Sequence, residues 1–227
     1  MARQLRLDVP NILYHVINRG NGRQVIFRSH RDFNTYLKLI ERYKEKYPIK
    51  LYNYVFMPNH VHFLLEPLEQ GVLARFMHDL TLAHTTRFNF ARKSVGHVWQ
   101  GRYKNIPIES DEYFFQCGRY IELNPVRAHL VNHPTEYAWS SYHTYAKGAS
   151  NSIVDFHPLY ESFDINTELR QRRYQEFVES EIEPSMEGKA KRFSCEQIYG
   201  EKTFVKHLEQ HGFTLLRSRI GRPKKGT

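Results

Sequence analysis

The stretch Leu51–Pro67, LYNYVFMPNHVHFLLEP, decides the fold that the sequence predicts. Two runs rich in aromatic, aliphatic and β-branched residues, Leu51–Phe56 and His60–Leu65, lie on either side of Met57–Asn59. Such runs around a short segment with proline and asparagine are typical of two strands joined by a tight turn. The stretch is therefore predicted to form a β-hairpin.

The second strand of this hairpin carries a pair of histidines. Successive side chains of a strand point to opposite faces, so His60 and His62 share one face while Val61, Phe63 and Leu65 share the other. The two imidazoles are about 7 Å apart along the strand, and both can reach one divalent ion. Spacing alone leaves a second interpretation open, that they are hydrogen-bonded surface residues in a chain with 13 histidines.

Length and charge restrict the class of protein. A chain of 227 residues is long enough for one or two domains with a proper core. Its net charge of +9 favours a polyanionic partner. Aromatic residues make up 14% of the chain, and interleaved with basic residues they suit stacking on unpaired bases, although ordinary α+β cores contain them too.

Cysteine usage and hydropathy exclude other classes. Cys117 and Cys195 lie far apart, so neither a disulfide framework nor a cysteine zinc site is indicated. No hydrophobic signal region and no apolar run of about 18 residues is present. We expect a cytoplasmic, nucleoid-associated protein with no membrane partner.

Two loops carry possible DNA contacts. The turn Arg19–Arg23 combines glycines with an arginine at each end and leaves room for a phosphate, but a solvated loop fits equally well. Further on, Trp99, Arg102, Tyr103 and Lys104 lie close together, a mixture of stacking surfaces and cations. The alternative for this second loop is a tryptophan that anchors it.

Periodicity predicts helices over residues 30–47, 71–91 and 112–123, and a strand over 11–17 that precedes them. Gln116, Tyr120 and Asn124 recur on one face of the third helix, with Arg119 and Arg127 nearby. A tyrosine hydroxyl in such surroundings can attack a phosphodiester that a metal ion polarises. Spacing alone does not choose Tyr120 among the 15 tyrosines of the chain, and Tyr113, two turns earlier, shares its face.

The remainder of the chain is less informative. The small-residue segment Lys147–Ser152 predicts a boundary between a catalytic domain of residues 1–147 and an extension of residues 148–227. Helices are expected at Leu169–Glu181 and Phe204–Gly212. Near the end, Gly221-Arg222-Pro223 is similar to the core of an AT-hook, and a tail that only adds phosphate affinity is the alternative.

Several linked motifs resemble those of one family. MPNHVHFLLEP, GHVWQGRYK, RYIELNPVRAHLV and YAWSSYHTY follow one another in the order found in single-tyrosine HUH transposases, of the insertion-sequence type and their REP-associated relatives. The pattern from Ile12 to Phe27 is similar as well. The resemblance covers residues 11–145 and is far more specific than a lone His-x-His.

The resemblance implies a fold and a site. The fold would be α+β, a ferredoxin-like antiparallel sheet with packed helices and a mostly helical C-terminal extension. His60 and His62 would bind Mg²⁺ or Mn²⁺ with Asn124, which stands where some members have glutamine, and Tyr120 would be the nucleophile. Candidate DNA-binding residues are Arg19, Arg23, Trp99, Arg102, Tyr103, Lys104, Arg119, Arg127 and Arg222.

The substrate implied is single-stranded DNA with a hairpin and a short unpaired recognition sequence, cut through a 5′-phosphotyrosine link. The protein would be a monomer or a homodimer. Two alternatives stay open: a domesticated binder of hairpin DNA that does not turn over, and an RNA-binding ferredoxin-like module. The RNA-binding alternative gives no reason for paired histidines.

Overall fold

A computed structural model of the protein describes residues 8–180 and 202–210. Its four antiparallel strands are β1 (Leu13–Arg19), β2 (Ile49–Met57), β3 (His60–Pro67) and β4 (Lys104–Ile108), in the order β2-β3-β1-β4. Helix α1 (His30–Lys46) connects β1 to β2, and α2 (Val72–Arg92) connects β3 to β4. This βαββαβ order is ferredoxin-like, so the predicted α+β fold is confirmed.

The remaining helices follow β4 in the chain. They are α3 (Ser110–Glu122), α4 (Asn124–Arg127), α5 (Tyr142–Lys147), α6 (Thr167–Glu179) and α7 (Lys202–Gln210). The helices predicted after the hairpin all exist, and each starts within one or two residues of the predicted position; the predicted ends Glu181 and Gly212 lie outside the described residues. No helix within the described residues combines the length and the apolar character needed to cross a bilayer.

Strand alternation divides the core into two layers. Val61, Phe63 and Leu65 of β3 are fully buried beneath α1 and α2. Leu64 points the other way and packs in a second cluster with Phe114 of α3. The two sets of side chains face opposite ways, as the hairpin pattern predicts, and the face that carries His60 and His62 is the one that α3 covers.

One carboxylate joins the start of α1 to the end of α2. The Ser29 hydroxyl caps the backbone N–H of Asp32, and the Asp32 carboxylate accepts from the backbone N–H of Ser29 in return. The same carboxylate accepts from the Arg92 guanidinium at 3.0 Å. The two helices are thus held together on the sheet face opposite the histidines.

Helix α3 is enclosed between the sheet and the segment that follows α5. The Glu122 carboxylate is fully buried and accepts from Asn53 of β2, Ser141 and Tyr174 of α6 at 2.6–2.9 Å. Burial raises the pKa of this carboxyl to about 7, although all three hydrogen bonds oppose the shift. Residues 148–180 also contact the sheet, where Asp155 accepts from the backbone N–H of Leu51 at 2.7 Å.

Acid is expected to weaken the fold through His84. This residue of α2 is 4% exposed among Phe27, Tyr36 and Trp99, and burial lowers its pKa to about 3, with Arg92 adding to the effect and Asp32 opposing it. Because the unfolded chain takes up the proton first, stability is complete above about pH 6.5 and decreases as the pH falls.

At pH 5, the depressed pKa of His84 lowers the free energy of unfolding by about 2 kcal/mol relative to neutral pH. Thermal melts between pH 7 and pH 5 should therefore show a smaller loss of Tm for His84→Phe than for the wild type. Parallel curves for the two proteins would contradict this assignment.

Candidate active site

The paired histidines of β3 present their imidazoles to one side of the sheet. Their ring centroids are 5.0 Å apart, with the planes at 72°. The Nδ1 atom of His60 lies 2.6 Å from Asn59 Oδ1, and Nδ1 of His62 lies 2.8 Å from Nε2 of His15. In each ring the Nδ1 atom is engaged, so Nε2 is the atom that remains to bind a cation.

Both imidazoles are neutral at physiological pH. Burial and, to a smaller extent, the positive charge of Arg19 lower the pKa of His60 to about 4. Burial also holds the pKa of His62 well below its ordinary value, with added repulsion from His15 and His60. A neutral ring nitrogen is the form that binds a metal ion, so protons do not compete for this site near pH 7.

Helix α3 places Tyr120 next to this pair. The centre of its ring is 6.1 Å from that of His62 and 5.9 Å from that of His15, in both cases edge-on. The Arg127 guanidinium lies 4.6 Å from the centre of the tyrosine ring and donates to the Tyr120 carbonyl at 2.8 Å. Tyr113, the alternative nucleophile, is half-buried against the same core cluster as Tyr120, but it does not line the cavity that Tyr120 shares with the histidines.

Asn124 lies one helical turn after Tyr120, and its hydrogen bonds determine which side-chain atom can bind a cation. Its Nδ2 atom donates to the carbonyl oxygens of Tyr120 at 2.8 Å and Ile121 at 3.2 Å. The amide nitrogen is therefore used by the helix, and Oδ1 is the atom that this side chain can present to a cation.

A cavity of about 560 Å³ joins these groups. Its lining includes every residue of the predicted catalytic and metal set together with four of the predicted DNA-binding cations: His60, His62, Tyr120, Asn124, Arg19, Arg102, Lys104 and Arg127. The volume lies within the range of small-molecule sites, about 300–1,000 Å³. The cavity therefore places four cations, which can bind a phosphate group, beside the tyrosine and the two imidazoles.

The side chains that could bind a metal ion determine which divalent ion this site fits. Among the residues that the structure describes, no group of three or more His, Cys, Asp or Glu side chains could hold a metal ion. The chain offers two neutral imidazoles and one amide oxygen, which fits an ion that takes its remaining ligands from water and substrate phosphates, as Mg²⁺ commonly does. Nitrogen ligands suit Mn²⁺ better than Mg²⁺.

The structure does not bring all of the predicted DNA-binding residues to this cavity. Trp99 and Tyr103 are 6% and 7% exposed and belong to the core beneath α1 and α2, so their rings have no surface on which a base could stack. Trp99 anchors its loop, which was the alternative interpretation, because its backbone forms an isolated β-bridge with Gly20 at the end of β1.

Arg119 also departs from the prediction. Its guanidinium is turned away from the cavity, donates to the carbonyl oxygens of Val178 at 3.1 Å and of Ser180, and lies over the ring of Phe177. The residue therefore attaches α3 to the end of α6. Arg23 is exposed in a short 3-10 turn outside the cavity lining, and Arg222 lies outside the described residues.

His15 is a residue that the sequence analysis missed. It is completely buried on β1, and its ring stacks on that of His62 at 5.0 Å. Strand alternation places it on the same face as Leu13 and Ile17, which was visible in the sequence. The contact between His15 and His62 was not visible in the sequence. It depends on the register of β1 and β3, in which Ile17 pairs with His62, and these strands lie far apart in the chain.

Removal of His15 is expected to weaken metal binding. When His62 presents Nε2 to a cation, its Nδ1–H donates to His15, and such outer partners typically contribute 10–100-fold in metal affinity. We expect His15→Phe to lower Mn²⁺ affinity, measured by calorimetry, by about that factor. His15→Gln should retain most of the affinity, because its amide oxygen can accept the same hydrogen bond; equal losses in the two variants would contradict this role.

One known protein family is similar in sequence to this chain. The model of the family described as Transposase IS200 like matches residues 8–124, more than half of the chain. No curated protein matches the sequence significantly.

Two solved structures are similar to this chain. One, described as a REP-associated tyrosine transposase bound to a REP hairpin, has a TM-score of 0.54 and 18% identity over 69% of this chain and 93% of that chain, and it supports the fold. The other, a candidate transposase from Deinococcus radiodurans R1, has a TM-score of 0.37 and 21% identity over 54% of this chain and 95% of that chain.

Proposed function

Since this chain belongs to the IS200-like transposase family, we propose that it cuts and rejoins a single DNA strand at a hairpin, through a covalent link to Tyr120. The observation that carries the proposal is the position of the Tyr120 ring, 6.1 Å from His62 in a cavity that four cationic side chains also line. Within one chain the tyrosine and both imidazoles line the same cavity, and we propose that they act together in cis.

The chemistry is a transfer of one phosphodiester bond. The phenolic oxygen of Tyr120 attacks the phosphorus atom and loses its proton, while the bond from phosphorus to the 3′ oxygen breaks and that oxygen leaves as a 3′-OH. The product is a 5′-phosphotyrosine diester. Because this link conserves the ester, a 3′-OH can attack it in turn and rejoin two strands without ATP.

The residues around the tyrosine have separable roles in this step. His60 and His62 would hold Mg²⁺ or Mn²⁺ through Nε2, with Asn124 contributing Oδ1. When bound, the ion withdraws charge from the phosphate oxygens and stabilises the leaving group. Arg127 lies against the tyrosine ring, where its charge would neutralise the phosphate that is transferred.

The remaining cations favour an extended anionic substrate. Arg19 ends β1, and Lys104 begins β4, the neighbouring strand, while Arg102 precedes it in the loop. All three line the cavity with no acidic residue among the lining groups. Because the imidazoles are neutral, binding of the DNA backbone rests on these cations and on the net charge of the chain.

We propose single-stranded DNA with a hairpin and adjoining unpaired bases as the substrate. The solved REP-associated transposase is bound to a REP hairpin, and the residues that line the cavity here suit unpaired backbone beside such a stem. Hairpins in the DNA that flanks the gene for this protein are the first sequences to test.

The experiment compares three labelled oligonucleotides in Mg²⁺, Mn²⁺ or EDTA. The first carries a flanking hairpin, the second has the same composition but cannot fold, and the third is the RNA version of the first. We expect metal-dependent cutting and a covalent protein–DNA product with the first alone. Equal binding of the RNA with no dependence on metal would contradict the proposal and favour an RNA-binding module.

A further inference from the structure

A second cavity, of about 450 Å³, lies between the start of α1 and the end of α2. These helices cover the sheet face opposite the histidines, so this cavity is separate from the candidate active site. Its lining includes Arg31, Arg87, Arg92, Phe88, Phe90 and His84. We propose that it binds an unpaired nucleotide of the DNA strand that extends from the active site, an inference that rests on the proposed function and adds a second contact to it.

The charge of this cavity favours a phosphate. Three arginines line it against one acidic residue, Asp32. That carboxylate is already used by Arg92 and by the backbone N–H groups that start α1. Arg31 and Arg87 are exposed and form no ion pair within the described residues, so both guanidinium groups are available to an anion.

The aromatic side chains favour a base beside that phosphate. Phe90 is 88% exposed although it is a large apolar ring at the edge of the cavity. Phe88 forms part of the wall, and the Arg92 guanidinium is fixed 3.9 Å from its ring centre. An open ring with free guanidinium groups nearby is the combination that binds unpaired bases, through stacking and phosphate contacts.

The loop that follows α2 connects this cavity to the active site. Arg92 lines the second cavity, and Gln100 and Arg102, eight and ten residues later in the chain, line the first. The loop is attached to β1, because the Gln100 N–H donates to the Arg19 carbonyl at 2.7 Å and the Asn21 N–H donates to the Val98 carbonyl at 2.8 Å. A single strand that leaves the active site along this loop reaches Phe90 and Arg87, whereas the bases of a duplex are paired and cannot stack there.

Binding measurements in EDTA test the proposal without cutting. Fluorescence anisotropy would compare one hairpin with unpaired flanks of about four and about twelve nucleotides, on the 5′ or the 3′ side. We expect the longer flank on one side to raise the affinity of the wild type. Phe90→Ala with Arg87→Ala should remove this gain, a loss of about fivefold or more, because stacking of a base on an aromatic ring contributes to affinity.

Arg42→Ala is the matched control for charge. Arg42 is exposed on α1 outside the cavity, where it lies over the ring of Tyr43, so its loss should leave the gain from the longer flank intact. Equal affinities of the wild type for short and long flanks, or an unchanged gain in the double variant, would overturn the proposal. A hairpin with short flanks that is neither bound nor cut would instead contradict the proposed function.

Photocrosslinking locates the contact directly. A 5-iodouracil in the longer flank should crosslink to the tryptic peptide Phe88–Arg92, and the crosslink should disappear when a complementary strand makes the flank double-stranded. Crosslinks confined to other peptides would overturn the assignment of this cavity, even if the flank contributes to affinity.

Discussion

Tyr120→Phe is expected to abolish the covalent protein–DNA product and to lower strand cutting by at least about 10³-fold, since removal of a nucleophile eliminates the whole covalent pathway. The substitution removes only the hydroxyl group. The phenyl ring retains its edge contacts with His62 and His15 and its position beneath Arg127. Hairpin binding in EDTA should therefore stay within about twofold of the wild type.

Denaturing gels with DNA labelled on the 3′ side of the cut would measure this effect. Tyr113→Phe is the matched control, because Tyr113 lies two helical turns earlier on α3, is half-buried like Tyr120 and does not line the cavity. It should form the covalent product at close to the wild-type rate. A product that persists in Tyr120→Phe and is lost in Tyr113→Phe would move the nucleophile to the other tyrosine.

His62→Ala and His60→Ala are expected to cause the second largest effect. Each variant removes one of the two imidazoles that can reach a shared ion, and catalysis by a metal ion that loses a ligand should fall by about 10²–10³-fold in Mg²⁺ or Mn²⁺, an estimate based on several kcal/mol of charge stabilisation. Hairpin affinity in EDTA should change little, because both imidazoles are neutral in the free protein.

His78→Ala provides the control for the loss of a histidine. That side chain is exposed on α2 and contacts only its neighbour Asp79 among the described residues. Its variant should keep wild-type cutting and wild-type Mn²⁺ affinity. Full activity of His60→Ala or His62→Ala in Mg²⁺ or Mn²⁺ would show that these imidazoles do not serve the reaction; rescue of the wild type by Zn²⁺ alone would contradict the assignment of the ion.

Local patterns were sufficient to predict the hairpin that carries the histidines and the helix that carries Tyr120, whereas the four-stranded sheet was implied by the family resemblance. Alternation around Pro58 placed His60 and His62 on one face, and helical spacing placed Tyr120 and Asn124 one turn apart. Both arguments use only neighbours in the chain. Only the resemblance to a known family predicted that the tyrosine would lie beside the imidazoles.

The errors arose where residues distant in the chain determine the environment. Arg119 was assigned to DNA because it lies near Tyr120, but α6 packs on α3 and provides carbonyl oxygens for its guanidinium. Trp99 was a candidate for stacking because a loop surrounds it, yet the core beneath α1 and α2 buries its ring. His15 was overlooked because only the strand register places it against His62.

The most direct test of the central claim is to identify the residue that carries the DNA. The covalent product would be treated with nuclease and trypsin, and mass spectrometry would locate the nucleotide that remains. Trypsin cuts after Arg119 and Arg127, so the account predicts the modification on Tyr120 within the peptide YIELNPVR. A nucleotide on the preceding peptide, which contains Tyr113, or on any other residue would contradict it.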